Sequence, residues 1–160
     1  MELNKKIYKL TDAGKKFVDV DKLIEKRLKM SVGEIFEKKG ERFFRELEKK
    51  QLAKLAWQKN LVIACGGGAV LDTKNVLVIK KNSHVVWLWV PIKEILNRTK
   101  KDFSRPLFNS ENKEKQVREL LKKRLLFYGR ASDLVVGTAG KNLEIIARVI
   151  LDEVGKTIEG

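Results

Sequence analysis

Leu61-Val62-Ile63-Ala64-Cys65-Gly66-Gly67-Gly68 is an unbroken apolar run that stops at three glycines. An apolar run without alternation fits a strand covered on both faces, as in a parallel sheet. Glycines directly after such a strand let backbone approach a ligand closely and offer N–H groups with no side chain in the way. A tight turn alone would use them too. Val85-Val86-Trp87-Leu88-Trp89-Val90 predicts a second buried strand, and Phe17-Val18-Asp19-Val20 and Leu134-Val135-Val136 predict two shorter ones. Helical stretches lie around them. Residues 1–13 read as a helix ended by Gly14. Residues 21–30 place Leu23, Ile24 and Arg27 at helical spacing. Ser31-Val32-Gly33-Glu34 is a capping box opening a helix through Phe36. Glu41 to Trp57 carries Phe44, Leu47, Leu52 and Leu55 on one face. Residues 92–99 form a helix, 101–112 a mobile polar loop, then a basic helix to about Tyr128 and an amphipathic one over 143–154. Strand and helix in alternation predict an α/β layered fold.

The 160 residues suit one domain, 1–160, with one core. No apolar run approaches the ~18 residues of a membrane span, and Met1 to Lys6 lacks the apolar region of a signal peptide. Cys65 is the only cysteine, so no internal disulfide forms, and a reducing cytoplasm fits. One His and one Cys cannot build a zinc cluster of the usual ligands. The net charge of +14, from 35 basic against 21 acidic residues, favours anionic ligands. It is dispersed rather than striped, and no nucleic-acid motif accompanies it, so neither nucleic acid nor membrane is an expected partner.

Four features carry chemistry. Asp19-Val20-Asp21 ends a strand, where open parallel sheets bind ligands. Taken alone, it reads first as a helix cap and a solvated acid. In Gly40-Glu41-Arg42-Phe43-Phe44-Arg45-Glu46-Leu47-Glu48, Arg45 can grip a carboxylate, and Glu48 one turn on can hold its guanidinium. A surface ion pair would look the same. The triple glycine is the third feature. Arg98, Arg105-Pro106-Leu107 and Arg124-Leu125-Leu126-Phe127-Tyr128 are the fourth. Fixed positive charge stabilises the spread anionic transition state of phosphoryl transfer. Solvated surface charge is the plainer alternative.

Order and spacing together make these signals specific. Asp-x-Asp, Ser-x-x-Glu-Ile-Phe, Gly-Glu-x-x-Phe-Arg-x-x-Glu, Gly-Gly-Gly, Arg-Pro-Leu and Arg-x-x-x-Tyr occur in that sequence, and the chain resembles the shikimate kinases over roughly residues 12 to 155. The resemblance implies a three-layer α/β/α parallel sheet of the P-loop kinase type. It implies transfer of the ATP γ-phosphate to the 3-hydroxyl of shikimate, on the chorismate route to aromatic amino acids. Residues about 20–50 would form the substrate-binding helices and about 100–113 the lid. Asp21 would bind shikimate hydroxyls and act as base. Arg45 and Arg124 would clamp its carboxylate, Gly67 and Gly68 would contact it through backbone, and Glu48 would orient Arg45. Arg105 would reach the transferring phosphate, Arg98 would lie against adenine, and Asp19 would meet the Mg²⁺ shell through water. A cytoplasmic monomer binding shikimate and ATP is expected.

Three departures from the family pattern are small. Cys65 stands where Thr or Ser is usual, and a buried inert thiol is expected there. Phe108 and Leu126 replace Leu and Pro. One departure is large: no Gly-x-x-x-x-Gly-Lys-Ser/Thr occurs in the 160 residues. Gly14-Lys15-Lys16 comes nearest, without the earlier glycine or the hydroxyl. Residues 1–13 resemble the helix after such a loop. The expectation is therefore a sheet lacking its first, central strand through N-terminal truncation. A truncated or inactive shikimate-binding relative is the alternative to a working kinase.

Overall fold

The computed structural model describes residues 14–99 and 113–159. Four parallel strands and seven helices of regular length appear among them, with one short 3₁₀ turn. β1, Lys16–Asp19, leads into α1, Val20–Leu28. Asp19 caps α1 by accepting a hydrogen bond from the Lys22 N–H at 3.1 Å. That cap is why the helix begins at Val20, which the sequence reading placed in the strand. Lys29 ends α1 in a left-handed conformation. α2, Val32–Lys39, opens with the expected capping box between Ser31 and Glu34 and runs one turn further than expected. α3 is Glu41–Leu55. β2, Leu61–Ala64, pairs with β1, setting Asp19 opposite Ala64.

Ala69–Leu71 forms the 3₁₀ turn directly after the glycines. α4, Thr73–Lys80, has no counterpart in the sequence expectation. β3, Val86–Trp89, pairs with β4, Leu134–Gly137. Between them lie α5, Ile92–Thr99, and α6, Lys113–Ala131. α7, Leu143–Glu159, packs on β4. The expected helix over 1–13 and the expected loop over 101–112 lie outside the described residues. No described helix is long and apolar enough to cross a membrane.

The strands form two parallel pairs, β1–β2 and β3–β4. No described strand joins β2 to β3, so each has one edge without a strand partner among the described residues. This arrangement of parallel strands and helices fits the expected α/β layered fold. It also corrects the expectation that 61–65 and 85–90 are fully buried: β2 is only half-buried along its length, and Trp89 is 43% exposed. The main core is one-sided. Val20, Ile24, Ile35, Phe44, Leu52 and Leu55 join α1, α2 and α3, and Ala69 of the 3₁₀ turn packs into the same cluster.

Parallel pairing puts the carboxyl ends of β1 and β2 at one rim, where Asp21 and the glycines follow directly. The β3–β4 half reaches this rim through α6, which packs against the 3₁₀ turn. A salt bridge from Lys80 to Asp133, 2.6 Å, ties α4 to the start of β4, and Asp133 also accepts from the Val85 N–H at 2.8 Å. Burial pushes the Asp133 carboxyl up, but these two partners win and hold it below the usual range.

Candidate active site

The three glycines are the hub. A Cβ on each would meet different functional groups, so their missing side chains measure what surrounds them. At Gly66 the neighbours are Glu48 Oε1 at 3.4 Å and Asp21 Oδ1 at 3.5 Å. At Gly67 they are the Tyr128 hydroxyl at 2.8 Å and Arg124 Nη1 at 3.9 Å. At Gly68 the Arg45 guanidinium is at 2.5 Å. Asp21 from α1, Arg45 and Glu48 from α3, and Arg124 from α6 therefore surround one short turn. The turn closes on itself through Ala69 N–H to Gly66 C=O, 3.0 Å, and Leu71 N–H to Gly68 C=O, 3.1 Å. Asn75, 4% exposed, donates from Nδ2 to Ala69 C=O at 2.9 Å and pins the turn to α4.

Arg45 is the most constrained cation. Nη1 donates to Glu48 Oε2 at 2.9 Å, while Nη2 and Nε donate to Glu41 Oε1 at 2.9 and 3.1 Å. Its guanidinium lies 5.4 Å from the Phe44 ring centroid and 6.0 Å from that of Phe36. Three of its five N–H groups are used, leaving two for a ligand. Desolvation works against its charge, yet the hydrogen bonds to Glu48 and Glu41 outweigh it and raise its pKa. The Glu48 link matches the expectation from spacing. Glu41 was missed as a partner, although it stands four residues before Arg45 and that spacing was readable.

Glu48 is 0% exposed, and its Oε1 has no hydrogen-bond partner among the described residues. Burial raises its pKa; Arg45 opposes this, and the charges of Asp21 and Glu41 add to it. The carboxyl near Gly66 is thus held between a cation and a second acid. Arg124 is half-buried and makes no ion pair among the described residues. Its donors are uncommitted among the described residues. Gly67 is exposed, whereas Gly68 is buried under Arg45. Beside Arg45 and Gly68 an open groove of about 620 Å³ extends past Asp72 and Lys74. Asp21 and Arg124 do not line it, so it adjoins the cluster rather than containing it.

Asp19 stands at the end of β1, with one carboxylate oxygen on the α1 cap. Among the described residues no three His, Cys, Asp or Glu side chains gather as a metal cage. Cys65 corrects the expected buried thiol: it is exposed. It is nevertheless crowded on one side, and desolvation, then the Glu48 charge, push its thiol up to about 11. It stays protonated at neutral pH, as an inert thiol would. The Arg98 side chain and all of Arg105 lie outside the described residues.

A sequence model of the family described as shikimate kinase matches residues 11–155. A shikimate kinase of Caldanaerobacter subterraneus subsp. tengcongensis is 43% identical over 135 residues, covering 84% of this chain and 78% of that protein. One of Persephonella marina is 38% identical over 141 residues, covering 88% and 84%. Among solved structures, the shikimate kinase of Acinetobacter baumannii in complex with shikimate superposes with a TM-score of 0.87. It is 33% identical and covers 98% of this chain and 86% of that one.

Proposed function

The chain belongs to the shikimate kinase family, and from that premise we infer that its glycine-centred cluster is the acceptor side of an ATP-dependent kinase phosphorylating the 3-hydroxyl of shikimate. Convergence carries this reading: Asp21, Arg45 and Arg124 come from three separate helices and meet around Gly66–Gly68. Shikimate is a small hydroxylated carboxylate. It needs cations for its carboxylate and an anionic acceptor for its hydroxyls.

Arg124, uncommitted, takes the carboxylate together with the two remaining N–H groups of Arg45. Glu48 holds Arg45 in register from below. Asp21 accepts the hydrogen bond of the reacting hydroxyl and takes its proton as the oxygen bonds to the γ-phosphorus and the bond to ADP breaks. The exposed Gly67 backbone meets the substrate, and Gly68 gives its contact beside the guanidinium packed on it. Arg105 serves the transferring phosphate and Arg98 the adenine. Mg²⁺ is held by one or two carboxylates, waters and phosphates rather than by an all-protein cage. An acid at the strand end, such as Asp19, fits a contact through water. When bound, the ion supplies charge neutralisation on the phosphate. Cytoplasmic residence and a monomeric state belong to the same proposal, on the strength of the lone cysteine and one-domain length.

A second reading is a shikimate-binding protein without turnover. It rests on the absence of Gly-x-x-x-x-Gly-Lys-Ser/Thr from the 160 residues. A coupled ADP-release assay separates the two, run on this chain and on one with a Walker A strand and loop placed ahead of it. Shikimate-dependent ADP release supports the kinase. ADP release indifferent to shikimate in the extended chain contradicts the acceptor assignment.

A further inference from the structure

Tyr128, one helical turn beyond Arg124 on α6, is like Arg124 a polar side chain of the cluster that makes no hydrogen bond with any described residue. Its ring is half-buried and packs on Trp87 of β3, centroid to centroid 5.4 Å, tilted by 46°. That contact fixes where the hydroxyl points. The oxygen stands 2.8 Å from the position a Gly67 Cβ would take, with Arg124 Nη1 3.9 Å from the same point. The hydroxyl is not fully enclosed, so an incoming ligand can reach it. Here a donor on a held ring flanks an uncommitted guanidinium over an exposed glycine.

We propose that Tyr128 is a further acceptor-binding residue, its hydroxyl donating a hydrogen bond to the carboxylate that Arg124 clamps. The inference rests on the acceptor-site reading above. Packing alone is the competing role, and the two separate cleanly: packing belongs to the ring and donation to the oxygen. Tyr128→Phe keeps the first and removes the second.

The test is calorimetric titration of shikimate and of its methyl ester into the unmutated chain and into Tyr128→Phe. A hydrogen bond to a charged group leads us to expect about tenfold weaker binding of the acid by the variant. The ester, with no charge on that group, should lose no more than about twofold. Equal affinity of the two proteins for the acid overturns the proposal, as does an equal loss for acid and ester. Failure of the unmutated chain to bind the acid overturns the acceptor reading itself, and this proposal with it. Should Tyr128→Phe not fold, fluorine-labelled tyrosine in the unmutated sequence reads the same contact, since Tyr8 is the only other tyrosine. The Tyr128 resonance should move with the acid more than with the ester; an unmoved resonance rejects the contact.

Discussion

Gly68→Ala tests the contact that sets the geometry of Arg45. Gly68 has φ −84° and ψ −18°, so alanine suits its backbone and the effect is steric. The new Cβ would lie 2.5 Å from Cζ, Nη1 and Nη2 of Arg45. Ordinary contact begins near ~3.5 Å, so the guanidinium must withdraw by about 1 Å. A flexible side chain could do this cheaply if it were free. Arg45 is not free, because Glu48 and Glu41 hold it at 2.9 Å each. Withdrawal by that amount takes the Glu48 bond beyond hydrogen-bonding range. Glu48 is fully buried, and breaking a buried pair costs ~3–5 kcal/mol. Glu48 can relieve part of that by taking a proton, as its raised pKa allows. The exposed Glu41 contact contributes only ~0–1 kcal/mol. A net destabilisation of about 1–3 kcal/mol follows, roughly 3–10 °C in Tm for a domain of this length. With Arg45 displaced, shikimate binding should weaken by about 100-fold, the scale of one lost charge-assisted bidentate contact. Thermal melts followed by circular dichroism and calorimetric titration read both. A Gly68→Ala variant that melts and binds like the unmutated chain refutes the packing of Arg45 on this glycine.

Arg124→Ala should leave stability within about 0.5 kcal/mol of the unmutated chain, because the side chain makes no described ion pair, yet weaken shikimate binding by roughly tenfold or more; a large Tm loss in a melt would mean that Arg124 is structural. Glu48→Gln tests the buried acid. A raised folded-state pKa means that Glu48 favours stability below its ordinary 4.5 and loses that contribution as pH rises through the raised value. Melts taken upward from pH 4.5 should therefore show the unmutated chain losing stability relative to Glu48→Gln, and a constant difference across pH would contradict this. Gly33→Ala is the reverse case. Gly33 is exposed within α2 and its nearest atom is 4.0 Å away, so alanine should add about 0.5–1 kcal/mol and raise Tm.

Much of the site was legible because its residues are spaced by local geometry. Arg45 and Glu48 lie one helical turn apart, and their hydrogen bond needs nothing from the rest of the fold. The Ser31–Glu34 box is local in the same way, with Ser31 N–H to Glu34 Oε2 at 2.8 Å and Glu34 N–H to the Ser31 hydroxyl at 3.2 Å. What failed depended on tertiary context. The run Val76-Leu77-Val78-Ile79 is rich in β-branched residues, which favour strands. It is helical in α4, and the one readable signal was Asp72, whose carboxylate accepts from the Lys74 N–H at 2.8 Å. The burial of β2 was overstated because apolar composition reports the faces of a strand and not whether its edge finds a neighbour. Tyr128 stood in a recognised motif without a task, since only the fold brings its hydroxyl to Gly67.

The most direct measurement is a ¹H–¹⁵N NMR titration of the glycine amides with shikimate. The account predicts saturable shifts at Gly66, Gly67 and Gly68, with Gly33 and Gly155 unmoved. Shifts that spare the triple glycine, or none at a shikimate concentration that saturates a family enzyme, would contradict it.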